Sequence, residues 1–517
     1  MNSRVVIVGL DGMCPDVIRP WIDAGELPTF SRFVEDGCFG TLRSTVPTMT
    51  PPGWVTLTSG KNPGQHGIYG FTDPRDPESR EIISAADVKD KRIWDIVGDN
   101  GGSSCVVNVP ITYPPDKIEG VMVSGFLSPS GHAFTYPADI QRDLEEMGYV
   151  IDITAERGGF AEAVGQVLDT DAGKGSVPLD PGSPDSLYSK EIRILKKHID
   201  ALIMLCGRQE WDFAMYVTRG TDAIQHFYWD RKEVMLGFMR EVDRQLARII
   251  EELGSGDRPT HFLAVSDHGF SAAPGYRFNA GTWLVEEAYG RFSASGISTH
   301  ADLKLSRAIY RWRHVKPVVM ALATLRGLVG RGNRSRLVPW IGMVVEDEAT
   351  RDRFIRSLAS LRTPEGERAF SFVKTRDEIY SGRNLARAPE IVWLPSRNVL
   401  PTADQGEGLL TESRYPTPGA HWGSSNGLLM GLGPGFKTGE EVNGCMEDIA
   451  PTLYALLGIP IPSDLDGRPL EGMLVDPSPA RDLGTGPPAI KGKMEGRPED
   501  RGDSEIRDRL RALGYID

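Results

Sequence analysis

The sequence predicts an α/β protein in which a largely parallel sheet is covered by helices on both faces. Short apolar, β-branched runs typical of buried strands lie at 5–8, 104–107, 121–123, 213–217 and 262–265. Helix-like stretches, with apolar residues recurring at spacings of three and four, separate the later runs at 185–206 and 233–253. Alternation of this kind is typical of parallel strands joined by crossover helices.

The composition is that of a globular protein with an acidic surface. Of the 517 residues, 40% are apolar, and 58 Lys and Arg stand against 71 Asp and Glu, which gives a net charge of −13. Nucleic-acid binding needs clustered cationic side chains, because the phosphate backbone is negatively charged. The charge balance therefore argues against a nucleic-acid partner.

The sequence shows no sign of export or of a membrane span. The apolar run at 4–10 has neither a basic region before it nor a small-residue cleavage site after it. The longest apolar candidate, 315–329, is interrupted by charged residues, Pro and Gly. Five cysteines without a Cys-x-x-Cys pair indicate reduced thiols. We expect a soluble cytoplasmic protein in which oxygen and imidazole hold any metal ion.

The pattern of elements divides the chain into four parts. A core at 1–270 and 416–475 is interrupted by 271–415, which we interpret as an inserted cap. Residues 476–502 have the Pro-, Gly- and charge-rich composition of a linker, and 503–517 predict a C-terminal docking helix.

One stretch of the predicted cap is strongly basic. Residues 304–336 contain nine Lys and Arg. The plain interpretation is a solvated cap surface, and the alternatives are a lid that recruits anions or a patch that rests on anionic lipid.

Four clusters of carboxylate and imidazole side chains stand at predicted strand ends. They contribute Asp11, then Asp222 with His226, then Asp267 with His268, and finally His421 just before a strand at 427–430. Taken alone, the residues of each cluster have an ordinary interpretation as helix caps, turn formers or surface residues. Ligands of parallel sheets bind at the carboxyl ends of the strands, however, and six such donors are enough for two divalent ions. Asp with neutral imidazole suits zinc, with manganese or iron possible.

Thr50 is the best candidate for a nucleophile. It precedes Pro51 and Pro52, which are tolerated in the first turn of a helix that would run to about Ser59. Its hydroxyl would lie at a helix N-terminus, where the N–H groups and the dipole favour a phosphate or an alkoxide. Metal coordination can lower the pKa of such a hydroxyl toward the working range. The alternative is that Thr48 and Thr50 are only N-caps.

Taken together, these segments resemble the alkaline phosphatase superfamily, in its type I phosphodiesterase/nucleotide pyrophosphatase branch. The resemblance is closer to prokaryotic proteins described as predicted phosphohydrolases or phosphomutases. The matching segments are 5–12, 27–30, 47–60, 62–68, 222–227, 266–270, 421–435 and 448–452. The resemblance implies an alkaline-phosphatase-like core that reaches to about residue 470, with the insertion at 271–415.

The resemblance also implies roles for individual residues. Asp11, Thr50, Asp267 and His268 would bind one metal ion, and Asp222, His226 and His421 the other. Thr50 would attack phosphorus and form a phosphothreonine, which water then hydrolyses.

The sequence departs from the family pattern at one position. Nucleotide pyrophosphatases carry an Asn three residues after the nucleophile to hold a phosphoryl oxygen, and here that position is Gly53. The donor must therefore come from elsewhere. The candidates are the backbone N–H groups at the helix start, Asn108 and Lys61.

The resulting functional prediction is a metal-dependent phosphoric-ester hydrolase that acts on monoesters or diesters of a small phosphorylated substrate. One alternative is a phosphomutase or phosphotransferase that passes the phosphoryl group to a second hydroxyl. Another is a sensor that binds phosphate ligands without turnover, although the intact set of seven residues argues against it. Sulfatase activity is disfavoured, because Cys14-Pro15 lacks the spacing needed for formylglycine formation.

Overall fold

The computed structural model describes residues 1–76, 81–129, 131–152, 179–284, 287, 335–338, 340–404, 406, 408–415, 417–477 and 506–507. The strands are β1 (Arg4–Leu10), β2 (Cys38–Arg43), β3 (Ser104–Val109), β4 (Gly120–Ser124), β5 (Thr135–Tyr136), β6 (Phe213–Thr218), β7 (Thr260–Val265), β8 (Ser271–Ala272), β9 (Tyr276–Asn279), β10 (Arg336–Val338), β11 (Gly342–Val344), β12 (Phe370–Thr375), β13 (Ile391–Pro395), β14 (Val399–Thr402), β15 (Leu410–Glu412), β16 (Gly419–Ala420), β17 (Asn426–Leu432) and β18 (Glu440–Cys445).

The helices are α1 (Pro15–Asp23), α2 (Pro28–Asp36), α3 (Thr50–Ser59), α4 (Pro63–His66), α5 (Ile93–Asp99), α6 (Ile140–Glu146), α7 (Leu187–Arg208), α8 (Gly220–Tyr228), α9 (Lys232–Gly254), α10 (Glu348–Ser360), α11 (Arg376–Ile379) and α12 (Ile449–Leu457). The strands predicted at 5–8, 104–107, 121–123, 213–217 and 262–265 and the helices predicted at 185–206 and 233–253 are present.

The central element is a sheet to which nine strands of the described chain contribute, in the order β18-β2-β17-β7-β1-β6-β3-β4-β5. The strands from β7 to β4 are parallel to one another. β17 runs antiparallel to both of its neighbours, and β5 runs antiparallel to β4. The prediction of a largely parallel sheet is therefore confirmed.

The side chains of β1 alternate between two hydrophobic clusters, one on each face of the sheet. Val6, Val8 and Leu10 pack in the cluster that holds residues of α1, α2, α7 and α9. Val5 and Ile7 pack in the other cluster, with residues of α3, α5 and α12. Because successive side chains of a strand point to opposite faces, a strand covered on both sides must be apolar throughout.

The chain divides into two compact units. The first comprises Met1–Ala273, Ile379–Ala388 and Tyr415–Asp517, and the second Pro274–Glu378 and Pro389–Arg414. The second unit contains the sheets β10-β11-β13-β12 and β14-β9-β15, with a core of its own around Phe278 and Trp393. Its span resembles the insertion predicted at 271–415, except that residues 379–388 belong to the first unit. A capping role for this unit remains a prediction.

Several predictions fall largely outside the described residues. These are the basic stretch at 304–336, the linker at 476–502 and the docking helix at 503–517. Of the last, Ile506 and Arg507 are helical, and Ile506 is buried. None of the five cysteines forms a disulfide bond, which agrees with the predicted reduced thiols. Among the described helices, none combines the length and the apolar character that a membrane crossing requires.

Candidate active site

The topology collects the predicted site residues at one edge of the large sheet. β1, β6 and β7 are adjacent and parallel, so the turns after them, which carry Asp11, Asp222 and Asp267, meet at this edge. β17 is antiparallel to β7, so the edge receives the start of β17 and His421 before it. β2 also ends here, because Arg43 pairs with Asn426, and the chain then leads into α3.

Two groups of potential metal ligands form at this edge. Asp11, Asp267 and His268 bring ligand atoms within 4.8 Å of one another, and so do Asp222, His268 and His421. These five side chains are at most 1% exposed. The sixth predicted donor is adjacent, because His226 Nε2 lies 3.5 Å from Asp222 Oδ1. His268 is common to both groups, whereas the resemblance assigned it to the first alone.

Backbone carbonyls fix the tautomers of the three imidazoles. The Nδ1–H group of His226 donates to Gly419 O at 3.1 Å, that of His268 donates to Gly269 O at 3.1 Å, and that of His421 donates to Thr48 O at 3.2 Å. Because a carbonyl oxygen only accepts, Nδ1 carries the proton and Nε2 keeps its lone pair. This is the arrangement of a metal-ligating histidine.

Burial keeps these imidazoles neutral, as ligation requires. Removal from water lowers the pKa of His226 to about 4 and that of His421 to about 3, and it also lowers the pKa of His268. Nε2 is therefore free of a proton at neutral pH in all three rings.

The carboxylates are electrostatically unfavourable in the absence of a cation. Burial, and then repulsion by Asp267 and Asp222, raises the pKa of Asp11 well above its ordinary value. Burial likewise raises the pKa of Asp267 well above that value. Burial also acts to raise the pKa of Asp222, but its three imidazole neighbours and Arg219 bring the net shift below the ordinary value. A bound divalent cation would offset the repulsion between the carboxylates.

The donor atoms of the first group fit such a cation. Asp11 Oδ1, Asp267 Oδ2 and His268 Nε2 are buried and make no hydrogen bond within the described part of the chain. A buried polar atom without a hydrogen bond costs about 1–3 kcal/mol, so three together call for another ligand. Carboxylate oxygen and neutral imidazole nitrogen suit zinc and manganese.

Thr50 lies where the start of α3 contacts both groups of ligands. Two residues before it, Thr48 O accepts the proton of His421 Nδ1 at 3.2 Å. Four residues after it, Trp54 Nε1 donates to Asp11 Oδ2 at 3.2 Å. The Thr50 hydroxyl is buried and makes no hydrogen bond among the described residues. The N-cap residue of α3 is Met49, so a capping role does not account for Thr50.

Gly53 allows α3 to pack closely against Asp267. A Cβ atom at position 53 would lie 2.9 Å from Asp267 Cβ, closer than carbon atoms can approach. An Asn at this position would displace a predicted metal ligand.

The structure also shows which hydrogen bonds are made by the candidate N–H donors to the phosphoryl oxygens. Asn108 sits at a bulge in β3 with φ 58°, and its Nδ2 donates to Val217 O at 2.9 Å. Its Oδ1, which only accepts, makes no hydrogen bond within the described residues. At the helix start, Pro51 and Pro52 have no N–H, and Gly53 N–H donates to Met49 O. Backbone donation from this turn is therefore limited to Thr50 itself.

Lys61 is not part of the site. Its ammonium group donates to Asp90 Oδ1 at 2.9 Å and to Asp464 Oδ2 at 2.6 Å. It follows the C-terminal end of α3, and a rise of 1.5 Å per residue places that end, Ser59, about 14 Å from Thr50 along the helix axis. The predicted role of Lys61 in substrate binding is therefore unsupported.

Sequence reasoning missed three residues at this edge. Trp54 follows Thr50 by four residues, so the two side chains lie on one face of α3, and this spacing is visible in the sequence. Arg219 is three residues before Asp222, and its charge reaches both Asp11 and Asp222. Tyr415 accepts a hydrogen bond from Trp422 Nε1 at 2.9 Å, and the Trp422 ring stacks on His421 with 5.6 Å between centroids. Only the fold brings Tyr415 here.

The fold and the site together define a hydrolase of the alkaline phosphatase type, a class that acts on phosphoric esters. The sequence matches the family described as type I phosphodiesterase/nucleotide pyrophosphatase over residues 5–422. The chain belongs to this family of phosphoric-ester hydrolases.

A bacterial phosphonoacetate hydrolase of known structure shares the fold. Phosphonoacetate hydrolase from Sinorhizobium meliloti 1021, in complex with phosphonoformate, aligns with a TM-score of 0.56 and 16% identity over 88% of this chain and 95% of its own. Murine ectonucleotide pyrophosphatase/phosphodiesterase 5 aligns with a TM-score of 0.49 and 13% identity, over 90% of this chain and 98% of its own. No curated protein sequence matches the chain.

Proposed function

We propose that this protein hydrolyses a small phosphoric monoester or diester, with Thr50 as the nucleophile and two divalent cations, zinc or manganese, as cofactors. Asp11, Thr50, Asp267 and His268 would hold one cation. Asp222, His226 and His421 would hold the other. One observation carries the proposal: the turn that contains Thr50 contacts a predicted ligand of each group, and the Thr50 hydroxyl between them is buried and makes no hydrogen bond to any described residue.

The reaction proceeds in two displacements at phosphorus. Thr50 Oγ1 loses its proton and attacks, so that an Oγ1–P bond forms while the bond from phosphorus to the ester oxygen breaks, and the leaving oxygen takes up a proton. Water then attacks the phosphothreonine. The Oγ1–P bond breaks, Thr50 regains its proton, and phosphate or a phosphomonoester is released. The bound cations would supply positive charge that lowers the pKa of the hydroxyl and balances the phosphoryl oxygens.

The surrounding residues hold the reacting groups in place. Trp54 Nε1 orients the carboxylate of Asp11, and the Thr48 carbonyl orients the ring of His421. The same short turn sits between these contacts, so the position of Thr50 is fixed relative to both groups of ligands. Such preorganisation lets the nucleophile act without a costly rearrangement.

The test is the turnover of Thr50→Ala and Thr50→Ser with a chromogenic phosphodiester and a chromogenic phosphomonoester, in the presence of zinc or manganese. We expect Thr50→Ala to lose several kcal/mol of transition-state stabilisation, or about a thousandfold in rate, and Thr50→Ser to retain part of the activity. Turnover of Thr50→Ala within about tenfold of the wild-type rate would overturn the assignment.

Thr58→Ala is the matched control. Thr58 lies on the same helix and is buried, but its hydroxyl donates to Trp54 O at 2.7 Å. Its rate should stay close to that of the wild type. Release of inorganic phosphate from the monoester separates hydrolysis from transfer to a second hydroxyl, because a phosphotransferase would release none.

A further inference from the structure

The segment Ile379–Ala388 lies between two stretches of the second unit in the sequence but belongs to the first unit in the fold. The chain enters it from Glu378 and leaves it at Pro389, and both of these residues belong to the second unit. The proposed reaction assigns no role to this segment. Its hydrogen bonds, however, reach the part of the first unit that carries the candidate nucleophile.

The start of the segment contacts the turn that leads to Thr50. The Tyr380 hydroxyl donates to Val46 O at 2.6 Å, across 334 positions of the sequence. Val46 precedes Thr50 by four residues, and Thr48 between them accepts the proton of His421 Nδ1 at 3.2 Å. The hydrogen bond from Tyr380 therefore holds the backbone directly before the start of α3.

Burial fixes the side chain of Tyr380 in this position. The side chain is 5% exposed, so its hydroxyl needs a partner within the protein, and Val46 O supplies one. Its ring contacts the ring of Tyr69 edge to face, with 5.3 Å between the centroids. Burial also raises the pKa of Tyr380 well above its ordinary value, so the hydroxyl keeps its proton and remains a donor.

The rest of the segment is bound beyond the other end of α3. Asn384 N–H donates to Gly64 O at 2.7 Å, and Asn62 Nδ2 donates to Ser381 Oγ at 3.2 Å. A Cβ atom at position 64 would lie 2.4 Å from Ser381 O, so only a glycine allows this close approach. The segment is therefore bonded to the chain on both sides of the helix that begins at Thr50.

We propose that Tyr380 is a positioning residue for the nucleophile, because its hydrogen bond to Val46 O fixes the backbone that places the Thr50 hydroxyl. The inference rests on the proposed function. Attack on phosphorus requires an aligned nucleophile, and a misplacement of about 1 Å can cost about 100-fold in rate. Tyr380 acts only through the position of Thr50, so the metal ligands and the substrate-binding groups keep their places without it.

The test compares the wild type with Tyr380→Phe, which keeps the ring and removes only the hydroxyl. In the metal-loaded protein, with a chromogenic phosphoric ester, we expect kcat to fall about 5- to 20-fold. KM should stay within about twofold of the wild-type value, because binding of the ester is retained. Elemental analysis of the same samples should give unchanged metal content.

Tyr69→Phe is the matched control. Tyr69 is buried beside Tyr380, and its hydroxyl donates to Asn384 O at 3.1 Å. The variant therefore removes a hydrogen bond of the same kind from the same segment, at the side that is bonded to Gly64 and not at the turn before Thr50. Its kcat should stay within about twofold of the wild-type value.

Hydrogen exchange gives a second readout that does not depend on turnover. Peptides that cover residues 44–57 should exchange faster in Tyr380→Phe than in the wild type or in Tyr69→Phe, because the turn before α3 opens more often. Peptides from β6 and α9 should exchange at the wild-type rate. Faster exchange throughout the chain would show a loss of global stability and would overturn the inference.

Three kinetic results would also overturn it. One is a kcat in Tyr380→Phe within about twofold of the wild-type value, and another is an equal loss of kcat in Tyr69→Phe. The third is loss of metal, or a higher KM in place of a lower kcat, which would mean that Tyr380 acts on metal or substrate binding. The proposed function fails on a different result, namely retained activity in Thr50→Ala.

Discussion

Buried histidines occur in two settings in this protein, and the settings differ in what the rings face. His226, His268 and His421 lie at the candidate active site. His66, His198 and His261 lie elsewhere in the same unit and are also buried. Burial lowers the pKa of His66 to about 3 and those of His198 and His261 to about 4, much as it does at the site. Low exposure and a low pKa therefore do not separate the two groups.

The hydrogen-bond partners do separate His66 and His198 from the three histidines of the candidate site. In His66, Nδ1 accepts the N–H of Ile68 at 3.1 Å and Nε2 donates to Thr56 Oγ1 at 2.9 Å. In His198, Nε2 donates to Val150 O at 2.6 Å, and the Tyr216 hydroxyl lies 3.5 Å from Nδ1. These rings use both nitrogens on neutral groups.

The site histidines instead give one nitrogen to a backbone carbonyl and turn the other toward carboxylates. His268 Nε2 lies 3.5 Å from Asp11 Oδ1 and 3.4 Å from Asp267 Oδ2. A neutral nitrogen with a lone pair gains nothing from a carboxylate unless a cation lies between them. The partner of the second nitrogen, and not burial, therefore distinguishes the candidate metal ligands.

The largest expected effect is on metal content. His268 belongs to the proposed ligands of one cation, so His268→Ala should lose that ion, whereas His421→Ala or Asp222→Ala should lose the other ion. His198→Ala should keep both ions, since its ring nitrogens lie beside Val150 O and the Tyr216 hydroxyl and not beside a predicted ligand. The measurement is elemental analysis after chelation and reloading. Two bound ions per chain in His268→Ala would show that His268 is not a metal ligand, and the difference between the two groups of buried histidines would then not hold.

A smaller effect should follow from loss of the hydrogen bond to Asp11. Trp54 Nε1 donates to Asp11 Oδ2 at 3.2 Å, and loss of such a partner costs about 10- to 100-fold in metal affinity, so Trp54→Phe should weaken binding by that amount. Trp94→Phe is the control, because Trp94 is equally buried and donates to Asp116 Oδ2 at 3.4 Å, away from the ligands. Competition with a chelator measures both. Equal affinities in the two variants would contradict the account.

The smallest expected effect concerns His198, a buried histidine outside the candidate site, and the pH dependence of stability. His198 is neutral in the folded chain down to a pKa of about 4, mainly through burial, against the Val150 hydrogen bond and the charge of Asp152. The unfolded chain binds this proton near pH 6.5. The unfolded state therefore binds more protons below that pH, and stability should fall as pH drops from about 6.5 to about 4, by about 1.4 kcal/mol per pH unit for one histidine.

His198→Gln removes this contribution and keeps a donor for the Val150 carbonyl. Urea unfolding of the metal-free protein at pH 7 and pH 5 should show a smaller loss of stability in the variant than in the wild type. The same loss in both proteins would mean that His198 is not held neutral by the fold.

The fold could be predicted because its signals are local. Apolar runs such as 213–217, and helical spacing in 233–253, identify β6 and α9 to within two residues of their observed ends. The rule that ligands bind at the carboxyl ends of parallel strands then selects Asp11, Asp222 and Asp267. Thr50 was selected on a different local signal, the two prolines in the first turn of α3, and its role as nucleophile stays a prediction.

What could not be predicted depends on contacts between distant parts of the chain. The carbonyl that orients His421 belongs to Thr48, 373 positions away. Arg219 lies between β6 and α8, but its side chain is cationic, so it matched no pattern of metal ligands. Lys61 is close to Thr50 in sequence, but the length of α3 separates the two residues in space, and the sequence does not reveal its ion pairs with Asp90 and Asp464. The orientation of the Asn108 amide depends on its hydrogen bond to the carbonyl of Val217, a contact that the sequence does not reveal.

The most direct test of the central claim is the detection of a phosphoryl group on Thr50. Metal-loaded protein is mixed with a chromogenic phosphoric ester, quenched in acid during turnover, digested and examined by mass spectrometry. We predict one added phosphoryl group on the peptide that contains Thr50, present also in Thr58→Ala and absent in Thr50→Ala. Turnover at the wild-type rate with no phosphoryl group on Thr50, under conditions in which the hydrolysis of the intermediate is rate-limiting, would contradict the account.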